Sequence, residues 1–159
     1  MSGKLWPLAA ILLSACATEP SVLHSGRSFS EITPGDAPTR AAPGSEVRWG
    51  GTIAAVSPGK AETCFQVVSR PLDGSARPES GDRTNGRFIA CAAGFYDPVI
   101  YATGREITVV GTLQAPEKGA IGGYDYLFPK VSASTLYLWP KRDPAFQYPP
   151  FWYEPGPWW

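Results

Sequence analysis

Along Val47-Arg48-Trp49-Gly50-Gly51-Thr52-Ile53-Ala54-Ala55, apolar or small residues occupy every second position. The residues of that face are Val47, Trp49, Gly51, Ile53 and Ala55. This period of two predicts a β-strand with one buried face. The pair Gly50-Gly51 would weaken a flat strand, so it predicts a bend or a bulge in the middle of this one.

Four more segments with the composition of strands follow. They cover Thr63 to Arg70, Arg87 to Ala92, Glu106 to Leu113 and about Tyr126 to Trp139. A shift in the apolar phase of the last segment predicts a bulge near Ser134. Polar or glycine-rich loops are predicted between strands, at residues 71–85 and 115–123.

Five bent strands and no long helical pattern predict an all-β fold. The glycines in the first and fourth strands would allow sharp coiling, which favours a small five-stranded OB-like barrel over residues 47–139. A β-sandwich is the alternative, although that architecture usually has about seven strands.

The chain has three cysteines, of which two lie in predicted strands. An antiparallel hairpin that places Cys64 opposite Cys91 would also align the apolar neighbours on one face. The next pairs of that hairpin would be Phe65 with Ala90 and Val67 with Phe88. This register predicts a cross-strand disulfide between Cys64 and Cys91; two buried free thiols are the alternative.

The first 15 residues have the layout of a secretory signal peptide: one early charge, an apolar run too short to span a bilayer, and small residues before a cleavage site. Cys16 follows directly, in Leu13-Ser14-Ala15-Cys16, and this pattern resembles the lipobox of bacterial lipoproteins. The resemblance implies a covalent lipid on Cys16. Ala17 is not acidic, which favours the outer membrane as the destination.

Residues 16–46 are rich in proline, serine, threonine, alanine and glycine, and this composition predicts a tether. Within it, Thr33-Pro34-Gly35-Asp36 has the pattern of a helix start and predicts one short helical turn. Phe29 and Ile32 are expected to contact the domain. The single histidine, His24, is expected to be solvated.

Residues 140–159 form a tail with six prolines and seven aromatic residues. Proline disfavours a helix and favours an extended conformation. Three structured interpretations remain: the tail wraps over the barrel, lies at the lipid interface, where Trp and Tyr are favoured, or docks on a protein or glycan partner. A disordered tail is the remaining alternative.

Composition and motifs argue against several functions. Lys plus Arg and Asp plus Glu both number 14, so the total contains no basic surplus for a nucleic-acid partner. No nucleophile elbow is present, and the single histidine lies in the predicted tether. We therefore expect no catalytic residues, no metal site and no cofactor beyond the lipid on Cys16.

Several motifs in order are similar to the Slp family of outer-membrane lipoproteins. They are Val47 to Ile53, Val68 to Asp73, Gly86 to Ala90, Phe95 to Pro98, Val109 to Leu113, Tyr126 to Pro129 and Leu138-Trp139. The resemblance implies a lipid-anchored outer-membrane protein, associated in parts of the family with starvation or envelope stress, and it implies no catalytic residues. The cysteine pair lies where better-known members carry other residues, so the disulfide rests on the register alone.

Two functions therefore remain open. The first is a non-catalytic lipoprotein of the Gram-negative envelope that faces the periplasm and has a structural or stress-related role. The second is a tethered barrel that binds a small ligand, a glycan or an envelope protein. For the second function we expect a ligand rim of Tyr96, Tyr101, Tyr124 and Tyr126.

Overall fold

The computed structural model describes residues 19–24, 26 and 28–143. The described chain begins with a 3-10 turn at Ser21–Leu23 and a four-residue helix, α1, at Ala37–Arg40. Five strands follow: β1 Glu46–Pro58, β2 Glu62–Arg70, β3 Arg87–Ala93, β4 Glu106–Ile121 and β5 Tyr124–Leu138. No helix in these ranges is long and apolar enough to cross a bilayer.

The five strands form a closed barrel in the order β1-β2-β3-β5-β4. Neighbouring strands are antiparallel except for β3 and β5, which run parallel. This order is that of an OB-type barrel, so the predicted all-β, five-stranded OB-like fold is confirmed. Closure leaves the barrel without an unpaired edge along its described strands.

Two register shifts bend the barrel. In β5, Ser134 is skipped between the pairs Val110–Thr135 and Gly111–Ala133, which confirms the predicted bulge. In β1 the shift falls at Ala54 rather than at the two glycines. Because one extra residue reverses the faces of a strand, Ala55 is exposed and Val56 packs against the core, so the expected inward position of Ala55 was wrong.

The glycines of β1 and β4 allow neighbouring strands to approach closely. A Cβ atom on Gly51 would lie 1.9 Å from the carbonyl oxygen of Val68 in β2. A Cβ atom on Gly111 would lie 2.2 Å from the carbonyl oxygen of Ser132 in β5. Only glycine fits at these two places, which explains why β1 and β4 each contain a residue of low strand propensity.

The predicted loop at residues 115–123 is instead a long hairpin. Strands β4 and β5 stay paired as far as Ile121 and Tyr124, and a shift between Gln114 and Glu117 accommodates Pro116, which lacks a backbone N–H. Most residues of this arm are exposed. The period-two apolar signal is missing from the β4 side because residues 114–120 are all exposed.

The barrel interior is apolar. Its buried residues include Val47, Trp49, Ile53, Phe65, Val67, Phe88, Ala90, Ile107, Val109, Leu113 and Val131. A second apolar cluster contains Leu23, Ala76, Val110 and Trp139, packed with Phe29, Leu72 and Tyr137. The second cluster joins the N-terminal segment and the β2–β3 loop to the outside of β4 and the end of β5.

Parts of the described N-terminal segment, residues 19–24 and 28–46, pack against the barrel, whereas its composition predicted a tether over most of this range. Leu23 is fully buried, and Ala37 of α1 belongs to the core. The indole N–H of Trp49 donates to the carbonyl of Ile32 at 2.9 Å, and Ser30 N–H donates to Glu46 at 2.8 Å. Composition did not reveal the burial of Leu23 and Ala37, because apolar residues in this segment are few and have no regular period.

The predicted helical turn is present, but it begins later than expected. The N–H of Ala37 donates to the carbonyl of Thr33 at 3.0 Å, and Asp36 is the N-cap residue of α1. The Thr33 hydroxyl donates to the Asp36 carboxylate at 3.0 Å. Phe29 and Ile32 contact the two apolar clusters, as the sequence predicted.

Candidate functional site

Cys16, the predicted lipidation residue, and residues 144–159 of the tail lie outside the described residues. The first described residue is Glu19, three positions after Cys16. Its carboxylate forms an ion pair with Arg48 of β1. The Arg48 guanidinium also lies 5.0 Å from the centre of the Phe29 ring. The start of the described chain is therefore attached to the barrel wall.

Cys64 and Cys91 form a disulfide and face each other across β2 and β3. The neighbouring pairs Phe65–Ala90 and Val67–Phe88 have the predicted register, and all four of their side chains are buried. The disulfide lies on the opposite face of the hairpin from these pairs. The burial of the apolar pairs and the disulfide are thus consistent with the same register of β2 and β3.

Glu62 lies beside the disulfide and completes a group of three residues with metal-ligating atoms within 4.8 Å of one another. Cysteine binds metals as a thiolate. Both sulfur atoms are used in the disulfide, so in this state Glu62 is the only strong ligand of the three. The group is therefore a disulfide with an acidic neighbour.

Tyr96 and Tyr101 of the β3–β4 loop pack together at one end of the barrel. Their ring centres lie 5.0 Å apart, and each ring lies within 5.7 Å of the Phe65 ring. Burial raises the pKa of the Tyr101 hydroxyl above its ordinary value; Tyr96 adds to this effect and Arg105 opposes it. These two tyrosines close the barrel end and hold the loop on it.

Tyr124 and Tyr126 belong to the β4–β5 hairpin instead. Tyr126 packs on Phe128, with ring centres 4.6 Å apart, and its hydroxyl oxygen accepts the N–H of Arg87 at 3.0 Å. Tyr124 is 70% exposed near the hairpin turn. The four predicted rim tyrosines therefore lie in two separate pairs, and no described ring contact joins the pairs.

An open groove of 630 Å³ lies beside the end of β5 and the β3–β4 loop. Its lining contains four cationic side chains and two acidic ones: Arg70, Arg105, Lys141, Arg142, Asp82 and Glu106. No tyrosine is among the described residues that line it. The Arg70 side chain makes no hydrogen bond or ion pair with any described residue, so its charge is available to the groove.

Arg105 and Arg142 of this groove have protein partners. Arg105 donates to the carbonyls of Ile100 and Trp139, at 3.1 and 2.9 Å. The carboxylate of Glu106 accepts from Arg77 at 2.8 Å and from Arg142 at 2.9 Å, one on each oxygen. This three-residue network joins the β2–β3 loop, β4 and the chain after β5.

Comparison with known proteins identifies the family. The sequence model of the "Outer membrane lipoprotein Slp family" matches residues 13–159. The chain belongs to the Slp family. It is 30% identical over 166 residues to "Outer membrane protein Slp" of Escherichia coli (strain K12), covering 97% of this chain and 87% of that protein. The resemblance seen in the sequence motifs is thereby confirmed.

Two more comparisons complete the description of this Slp-family chain. It is 31% identical over 182 residues to "Uncharacterized lipoprotein YeaY" of the same organism, covering 99% of this chain and 92% of that protein. A small single-stranded DNA-binding protein from Streptomyces coelicolor has a TM-score of 0.38 and 16% identity, covering 61% of this chain and 95% of that chain. The barrel assignment rests on the strand order and needs no support from that likeness.

In this Slp-family protein, the sequence pattern predicts the turn in the β2–β3 loop but not the ion pairs that the loop makes. Asp73-Gly74-Ser75 is a turn pattern, and one Asp73 oxygen accepts from Ser75 N–H at 2.8 Å, the Ser75 hydroxyl at 2.7 Å and Arg77 N–H at 3.0 Å. Burial alone would raise the pKa of the Asp73 carboxyl, but these hydrogen bonds and the charge of Arg142 hold it below its ordinary value. No sequence pattern could join Arg77, Glu106 and Arg142, because they meet only in the folded barrel.

Proposed function

We propose that this Slp-family protein is a non-catalytic lipoprotein, held in the outer membrane by acyl chains on Cys16 and facing the periplasm, with a structural or stress-related role. The observation that carries this proposal is the family match, which begins at Leu13 and so includes Leu13-Ser14-Ala15-Cys16. More than one acyl chain is needed for a firm anchor, since a single chain binds a membrane only marginally.

The arrangement of charged groups supports a non-catalytic role. Both oxygens of the Glu106 carboxylate bind arginines, which leaves it poorly suited to act as a general base. Asp73 uses one oxygen to organise its own loop. These acids stabilise the barrel surface. The protein would act by contact of that surface with other components of the envelope.

The test is fractionation of the native protein beside two variants, with the intact mass of each product. Cys16→Ser should remain unprocessed and carry no acyl mass. Ala17→Asp should keep the acyl mass and, in an enteric-type host, move to the inner membrane. A native protein that is soluble and carries no acyl mass would refute the proposed anchor.

The groove favours a second candidate function, binding of an acidic glycan. Its lining has a surplus of cations, and Arg70 has no partner among the described residues. Calorimetric titration with an acidic oligosaccharide such as tetragalacturonate tests this function. We expect Arg70→Ala to weaken binding by about tenfold, as the loss of one charge-assisted hydrogen bond predicts. Identical titrations of Arg70→Ala and native protein would argue against it.

A further inference from the structure

We propose that the barrel lies directly on the bilayer surface, through the face covered by the 3-10 turn at Ser21–Leu23. The inference rests on the proposed acylation of Cys16. Three residue steps separate Cys16 from Glu19. Even fully extended, three steps span at most about 11 Å. The lipid attachment point is therefore within that distance of a residue bound to the barrel wall.

Two contacts hold the chain where it meets the barrel. Glu19 pairs with Arg48, whose guanidinium also donates to the carbonyl of Leu23 at 3.5 Å. Leu23 is fully buried in the cluster that contains Val110 of β4 and Trp139. Burial of a leucine side chain contributes more to stability than an ion pair near the surface. Leu23 is thus the main attachment, and Glu19 adds to it.

These contacts decide which side of the barrel faces the lipid. Arg48 is paired with Val110 across β1 and β4, so the anchored chain emerges over the outer surface of those strands. Val22 is 56% exposed beside the buried Leu23. An exposed aliphatic side chain this close to the attachment point can enter the headgroup region, where apolar side chains gain from leaving water.

The strand order shows which side of the barrel faces away from the bilayer. In the ring of five strands, the neighbours of β4 are β1 and β5, so β2 and β3 lie across the barrel from it. The disulfide between Cys64 and Cys91 and the exposed Glu62 belong to β2 and β3. In the acylated protein this hairpin faces the periplasm, remote from lipid, with Glu62 exposed and Cys64 partly exposed.

Photocrosslinking to lipid in isolated outer membranes tests this orientation. A benzophenone amino acid is placed at one of three exposed positions: Val22, Val99 of the β3–β4 loop, or Glu62 of β2. We expect lipid adducts at position 22, and at least about fivefold fewer at position 62. An equal yield at 62, or a higher yield at 99 than at 22, would overturn the inference.

A variant with a longer segment between Cys16 and Glu19 tests whether the short connection holds the barrel on the bilayer. Twenty glycine and serine residues are inserted between Thr18 and Glu19, which adds a mean span of about 25 Å. The lipid adduct at position 22 should fall at least about fivefold, because the effective concentration of the membrane surface drops. An unchanged adduct would overturn the inference.

Intact mass separates the two proposals. A protein without acyl mass on Cys16 contradicts the proposed anchor, whatever the crosslinks show. An acylated protein whose position 22 gives no lipid adduct contradicts only the orientation.

Discussion

The indole N–H of Trp139 donates a 2.9 Å hydrogen bond to the hydroxyl oxygen of Thr108, which in turn donates to the carbonyl of Ala76 at 2.7 Å. All three residues are buried. One hydroxyl of β4 therefore connects the residue after β5 to the β2–β3 loop. Since a buried polar group without a partner is costly, this link should matter for stability.

Replacing Thr108 with valine should destabilise the barrel. The variant keeps the side-chain shape but leaves the Trp139 N–H and the Ala76 carbonyl without this partner, which should cost about 2–4 kcal/mol. Urea unfolding followed by tryptophan fluorescence measures the loss. Thr112→Val is the matched control, because the Thr112 hydroxyl makes no hydrogen bond among the described residues, and its effect should stay below about 0.5 kcal/mol. Equal losses in both variants would contradict the proposed role of the link.

Removal of the disulfide should lower the free energy of unfolding without changing the fold. The sequence separation of Cys64 and Cys91 is 27 residues, and a crosslink of this length contributes about 3 kcal/mol. The double variant Cys64→Ala/Cys91→Ala should therefore unfold at lower urea concentration, as should the native protein after reduction by a dithiol. The dithiol should leave the double variant unchanged. Two alkylatable thiols in the native, non-reduced protein would contradict the disulfide itself.

Gly51→Ala should be among the most destabilising single substitutions. The new Cβ atom would overlap the carbonyl oxygen of Val68, so β1 and β2 would have to separate, which should cost about 3 kcal/mol or more. The melting temperatures of the variant and the native protein, measured by thermal unfolding, show the loss of stability. Gly123→Ala is the control, since no atom lies within 4 Å of its Cβ position. Similar melting temperatures for the two variants would show that the strands are not closely paired at Gly51.

Acid should weaken the β2–β3 loop through Asp73. Its pKa is lowered in the folded protein, so its contribution to stability is present above the unfolded pKa of about 3.9 and is lost as the pH falls through the folded value. Asp73→Asn should lower stability at pH 7 and should lose less stability than native protein on acidification toward pH 2. Asp125→Asn, which removes a carboxylate without a described partner, should behave like native protein. Parallel stability curves for Asp73→Asn and native protein would contradict this prediction.

Leu23→Ala should release the N-terminal segment from the barrel. The substitution removes a fully buried side chain from the cluster with Val110 and Trp139, which should cost about 2–4 kcal/mol. Hydrogen exchange should show faster exchange at Ser30, whose N–H donates to Glu46. Val22→Ala, at an exposed position, should leave that exchange rate within about twofold. Protected exchange at Ser30 in Leu23→Ala would show that other contacts hold the segment.

Local patterns predicted much of the barrel. Alternation located the five strands, and the phase shift in β5 located the bulge at Ser134. The register of β2 and β3 followed from aligning Cys64 with Cys91. These features were predictable because the two faces of a strand in a small barrel differ sharply in polarity.

The rest depended on contacts between distant residues. The exposed β4 side of the hairpin arm, residues 114–120, has no alternation of apolar residues. The bulge at Ala54 reversed the faces of β1 after Ile53. The tyrosines predicted to form one rim lie in two separate places. Tyr96 and Tyr101 follow the end of β3, whereas Tyr124 and Tyr126 begin β5, and these two strands run parallel.

The sequence by itself determined the order of the strands along the chain, the disulfide register and the family, since each depends on short-range alternation or on several motifs in order. Only the tertiary structure decided how the strands close into a ring, and that Glu19 and Leu23 attach the N-terminal segment to its wall. The reason is physical: closure and the burial of Leu23 depend on surfaces that exist only once distant segments have come together.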